Sequence, residues 1–99
     1  MYNSILSKLA ECELHGENVY KFIRALVFLP SLYGEIVNVT LKTIISGSLY
    51  YYFKVYKGID KLQDIKVLNN ITVETILNYY QYLVCKHRTI DYIARKYKI

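Results

Sequence analysis

The chain has no tryptophan, one proline and four glycines. Scarce Gly and Pro exclude a linker-rich or low-complexity chain, and 54% hydrophobic residues exclude a disordered one. Long apolar runs are missing as well. A membrane-crossing helix needs about 18 or more consecutive apolar residues. Here "ALVFL" at 25–29 stops at Pro30, and "EIVNVTLKTII" at 35–45 is broken by Asn38 and Lys42. The N-terminus shows no basic segment followed by an apolar stretch and a small-residue cleavage site, so the expectation is an intracellular protein without a membrane span.

Catalytic signatures are absent too. The chain carries no phosphate-binding glycine loop, no nucleophile elbow and no carboxylate pair with readable geometry. His15 and His87 have neither a nucleophile nor an orienting acid nearby in sequence. The expectation is a protein that is not an enzyme and uses no cofactor.

What is present is one domain's worth of chain, residues 1–99, with tyrosine and lysine prominent. Ninety-nine residues bury one core. Charge is uneven: residues 1–40 hold three basic and four acidic side chains, and residues 41–99 hold ten basic and four acidic ones. That asymmetry gives the second part an attraction to polyanions.

Hydrophobic spacing predicts an α+β fold. "YNSILSKLAECELHG" reads as a first helix ending at Gly16, and "ENVYKFIRALVFLP" as a second, with Val19, Phe22, Ile23, Leu26 and Val27 in a stripe and Pro30 as its stop. The two would form an N-terminal helical hairpin. In "EIVNVTLKTII", Val37, Val39, Leu41, Thr43 and Ile45 alternate with polar residues, the pattern of a half-buried strand. A helical grouping of Ile36, Val37, Leu41, Ile44 and Ile45 is the rival. With "SGS" at 46–48 as a turn, the strand reading makes a β-hairpin whose second strand is "LYYYFKVYKG". Residues 59–70 fit a short helix on Leu62, Ile65 and Leu68 or a third strand equally. "TVETILNYYQYLVCKH" reads as a helix capped by Thr72, and "RTIDYIARKYKI" continues or restarts it. The predicted architecture is a helical hairpin, a small antiparallel sheet, and C-terminal helices packed on that sheet.

On a strand, Tyr50, Tyr52 and Tyr56 would share one face with Lys54, opposite Tyr51, Phe53 and Val55. Phenol rings beside cations form base-stacking surfaces, but the spacing lacks the small residues of the RNA-recognition signature. The alternatives are tyrosines buried as core and a protein–protein or homodimer surface. At the C-terminus, Arg88, Asp91, Arg95 and Lys98 fall on one side of a helix, with Ile90, Ile93 and Tyr97 on the other. This side is either a solvated face or a set of phosphate contacts. The candidate nucleic-acid residues are therefore Lys54, Lys57, Arg88, Arg95 and Lys98, with Tyr50, Tyr52 and Tyr56 for unpaired bases.

Cys12 lies near His15 and Cys85 near His87, but neither spacing matches a zinc pattern. Separate buried thiols and a Cys12–Cys85 disulfide both remain open.

The stretches "LYYYFKVYKGIDKL" and "RTIDYIARKYKI", together with the small, Trp-free, Lys/Ile/Tyr-rich chain, resemble the small proteins of filamentous archaeal viruses: the lipothrixviruses of Acidianus, with relatives expected among rudiviruses. The resemblance covers the whole length and carries no functional motif. It implies a viral accessory protein in the cytoplasm of a host of hot, acidic springs, raises the weight of the disulfide, and makes DNA a polyanion at hand. The functional expectation is a non-enzymatic protein working through contacts with itself, viral or host proteins, as an isologous dimer. Its alternative is non-specific DNA or RNA binding.

Overall fold

The computed structural model describes residues 17–32, 34 and 39–99. The first predicted helix, Gly16, Cys12 and His15 lie outside them. Among the described residues every regular element is helical: α1 (Glu17–Val27), a single turn α2 (Leu29–Leu32), α3 (Leu41–Tyr51) running on into a π-helical turn (Tyr52–Lys57), α4 (Leu62–Asn69), α5 (Val73–Val84) and α6 (His87–Lys96). The α+β expectation is thus overturned: no strand or sheet occurs among the described residues, and from Leu41 to Lys57 the predicted β-hairpin is one continuous helical segment.

The physical reason lies in α3. Its start is signalled by Thr40, whose Oγ1 accepts the Thr43 backbone N–H at 3.3 Å, satisfying an end donor that would otherwise lack a partner. Beyond it, Thr43, Ile45, Ser46, Gly47, Ser48, Leu49, Tyr50 and Tyr51 are all buried. A helix enclosed on every side has no polar face, so helical periodicity fades and β-branched alternation can imitate a strand. The "SGS" segment is not a turn. Gly47 sits inside the helix because the ring of Tyr79 on α5 packs against its backbone.

Around this central helix pack α1, α4 and α5, with the most extensive packing between α3 and α5, while α6 closes on α1 and α5. The α1 stripe is buried as its spacing predicts: Phe22, Ile23 and Leu26 are fully enclosed and Val19 packs at the edge. From α5, Ile76, Tyr79 and Leu83 are buried, and Ile90 and Ala94 bring α6 into the same core. Each large apolar side chain enclosed this way contributes about 1.5–3 kcal/mol.

The aromatic stretch is interior cement rather than a two-faced strand. Tyr50 meets Tyr80 edge-on with ring centroids 5.0 Å apart, and Phe22 meets Tyr56 edge-on at 5.4 Å. Tyr51 contacts both Tyr56 and Tyr80. Such edge-to-face pairs add about 0.5–1.5 kcal/mol beyond area burial.

The ambiguous 59–70 segment resolves as a helix over Leu62–Asn69. It ends on Asn70 in the left-handed region (φ 50), with the Ile71 N–H bonded to the Lys66 carbonyl at 3.2 Å, the closing pattern of a Schellman motif. Thr72 caps α5 as predicted, its Oγ1 accepting from the Thr75 N–H at 3.2 Å. No helix among the described residues is long and apolar enough to cross a membrane.

Candidate nucleic-acid interface

The face begins with α6. Residues 85–86 form a turn after α5, and the chain restarts as a helix at His87. His87 Nδ1 donates to the Val84 carbonyl at 3.2 Å across that turn. At the ideal helical period Ile90, Ile93, Ala94 and Tyr97 point inward, and they are the residues that join the core. Arg88, Tyr92 and Arg95 fall within about 60° of one another on the outside, with Lys96 next to them. All four are exposed, Tyr92 by 74%.

The helix ends on a left-handed residue, Lys98 (φ 59), with the Lys98 N–H on the Arg95 carbonyl at 3.1 Å and the Ile99 N–H on the Ala94 carbonyl at 2.9 Å. This is a Schellman closure without glycine. Lys98 is therefore exposed just past the helix end, not in register on its side. Cations in the last turn, Arg95 and Lys96, complement the negative end of the helix dipole.

One acid borders the face. Asp91 is half-buried, and its Oδ1 accepts a 2.6 Å hydrogen bond from the Tyr56 hydroxyl. That bond ties the π-helical turn, which carries exposed Lys54 and Lys57, to α6. It also engages one oxygen of the carboxylate that helical spacing sets near Arg88 and Arg95. No ion pair among the described residues engages Lys54, Lys57, Arg88, Arg95 or Lys98; the one between Lys61 and Asp64, at 3.7 Å, lies elsewhere. The turn closes on Gly58 (φ 65), where the Ile59 N–H bonds to the Phe53 carbonyl at 3.0 Å. A non-glycine residue there would be strained.

The three tyrosines predicted to stack on bases are elsewhere. Tyr50 and Tyr52 are 4% and 2% exposed, and Tyr56 is half-buried with its hydroxyl committed to Asp91. Burial pushes the Tyr50 and Tyr56 phenols up, with the nearby Asp60 charge adding to the first and the hydrogen bond to Asp91 adding to the second. Burial also raises Tyr51, to about 12. Val55, expected on the same face as Phe53, is 44% exposed while Phe53 is buried. The residue the tyrosine reading missed is Tyr92. Its signal was its place one helical turn after Arg88 and one turn before Lys96.

Cys85 is exposed with a free thiol, so the expectation of burial does not hold for it; Cys12, the other half of the disulfide option, lies outside the described residues. No three His, Cys, Asp or Glu side chains converge among the described residues. An open apolar groove of about 560 Å³, lined by Lys66, Val67, Asn70, Ile71, Thr72 and Val73, flanks the junction of α4 and α5.

Comparison with family models, with curated proteins and with solved structures finds no match to this chain.

Proposed function

We propose that this is a non-enzymatic nucleic-acid-binding protein that contacts phosphates through the outer face of α6. The observation that carries the reading is that Arg88, Arg95 and Lys96 stand exposed together while the neighbouring acid, Asp91, is held by Tyr56. An acid paired with the arginines would cancel part of their charge. Asp91 keeps its charge, but its Oδ1 is turned to Tyr56 and no ion pair among the described residues ties it to either arginine, so both guanidinium groups can still bond to phosphate. Lys54 and Lys57 on the tethered turn, and Lys98 past the helix end, extend the same positive character. A handful of cations gives non-specific affinity that falls steeply with salt. If the source is a filamentous archaeal virus, as the sequence resemblance implies, double-stranded DNA is the natural first ligand.

A second reading, action through protein contacts and self-association, draws on a different surface. Val67 is 78% exposed beside the groove that also holds Ile71 and Val73. Of the tyrosines first expected to make that contact, Tyr50 and Tyr52 are interior and Tyr56 is half-buried, so the groove is what supports this alternative.

The test is fluorescence anisotropy of labelled DNA titrated with the protein from low to physiological salt. Binding in the micromolar range or tighter, with log affinity falling linearly against log salt, is expected. Arg88→Gln with Arg95→Gln should make that slope shallower by about two phosphate contacts. No binding at low salt would sink the proposal, and sedimentation of the free protein would then decide on self-association.

A further inference from the structure

We infer that Tyr92 is a base-stacking side chain, and that the α6 face takes single-stranded nucleic acid in preference to duplex. The inference rests on the reading of that face as a phosphate-binding surface and adds to it the form of nucleic acid recognised.

Large apolar side chains are mostly enclosed in this fold; Tyr92 leaves 74% of its surface in solvent. The ring is not holding the core together, since Ile90, Ile93, Ala94 and Tyr97 do that for α6. It stands instead among cations. Arg88 is four residues before it, Arg95 three after and Lys96 four after, the separations at which side chains are neighbours on a helix surface. A flat ring between cations offers two interactions at once: a π-face for a base and charge for the phosphates on either side.

Duplex DNA uses only the second of these, because its bases are already stacked and their faces are covered. An unpaired strand uses both. The burial of Tyr50 and Tyr52 sharpens the point, because among the described tyrosines Tyr92 is the exposed one, placed to stack without disturbing the core. Asp91 is the charge that works against phosphate here. It is the acid nearest Tyr92 in sequence, and Tyr56 holds it at the edge of the face.

The experiment compares a fluorescein-labelled oligo-dT with a duplex of equal length, both titrated with wild-type protein, Tyr92→Ala and Tyr92→Phe at two salt concentrations. Because Tyr92 is so exposed, the variants should keep the wild-type circular dichroism spectrum. Single-strand affinity should fall about tenfold or more in Tyr92→Ala and persist in Tyr92→Phe, with an unchanged salt slope and duplex affinity within about twofold of wild type. Equal loss on both ligands, or no loss on either, would overturn the stacking role while leaving a salt-dependent phosphate surface standing. Failure of the wild-type protein to bind either oligonucleotide, including the case where it binds only vesicles of anionic phospholipid, would overturn both readings.

Discussion

Gly47 lies directly against Tyr79, so that a methyl group on its Cα would come 2.5 Å from Tyr79 Cδ1 and 2.9 Å from Tyr79 Cβ. The second distance matters more. A ring edge can swing, but a Cβ moves only with its backbone, and here that backbone is α5. The missing side chain at Gly47 therefore sets how closely the two central helices approach.

Gly47→Ala sets two effects against each other. Alanine in a helix interior is favoured over glycine by about 1 kcal/mol, whereas overpacking a filled core costs about 1–3 kcal/mol. With contacts this short the packing loss wins, and a net destabilisation of about 1–2 kcal/mol is expected from the urea midpoint. A midpoint equal to or above wild type would mean that the helices do not cross there.

Ser46 and Ser48, two residues apart on the same buried helix, should respond in opposite directions. Ser46 Oγ donates to the Lys42 carbonyl at 2.7 Å and accepts from Asn69 Nδ2 at 2.8 Å, linking α3 to α4. Asn69 is 2% exposed and its Oδ1 has no partner among the described residues, so Ser46→Ala would strand the rest of the amide. A loss of about 1–2 kcal/mol is expected after allowing for the better helix propensity of alanine. Ser48 Oγ is buried with no partner among the described residues. Removing it in Ser48→Ala should stabilise by about 1 kcal/mol. Thermal denaturation of the two variants side by side is decisive, because a shared sign would break the assignment.

These sites show why the sequence was legible at its ends and misleading in its middle. Where a helix has one wet side, as in α1 and α6, the stripe of apolar residues stands out: Phe22 with Leu26, and Ile90 against Arg88 and Arg95, fall on the sides that their spacing predicts. From Ile45 to Tyr51 the α3 helix has no wet side. Its Gly47 carries the same letter whether it makes a turn or a close crossing, and only the position of Tyr79, 32 residues along the chain, decides between them. The one local clue was Thr40, three residues before Thr43 in the spacing of a side-chain cap. For the interface the same logic applies. The cations on α6 were readable, while the stacking tyrosines were chosen from a segment whose exposure depended on the wrong element.

That clue is itself testable. Thr40→Ala removes the acceptor for the Thr43 N–H and should cost about 1 kcal/mol, as should Thr72→Ala at the start of α5. Thr40→Asp should recover most of the loss, since a carboxylate caps as well and suits the positive end of the helix. Circular dichroism during urea titration reads both. An indifferent Thr40→Ala variant would argue against a capped helix start at that position.

Alkaline pH should unfold the protein through its buried phenols. Tyr51 is held at about 12 against an ordinary 10.0, first by burial and then by the charge of Asp91, with its hydrogen bond to Tyr56 pulling the other way. Tyr50 and Tyr56 are raised as well. A raised value means that the folded state holds the phenol proton more tightly than the unfolded chain does. Below pH 10 both states keep that proton and the contribution is intact. Above it the unfolded chain releases its proton while the folded protein cannot, so stability falls as pH rises, for Tyr51 up to about 12. The melting temperature should therefore hold steady from about pH 8 to 9.5 and then drop, with the part of the tyrosinate absorbance that belongs to the buried phenols appearing only as helical circular dichroism is lost. Tyr56→Phe should cost about 1 kcal/mol at neutral pH by removing the bond to Asp91, a carboxylate that water can still reach. It should also make the alkaline decline shallower, because one raised phenol is gone. A melting temperature that stays level through pH 11 would show that these phenols are not enclosed, and the aromatic core described for α3 and its π-helical turn would have to be redrawn.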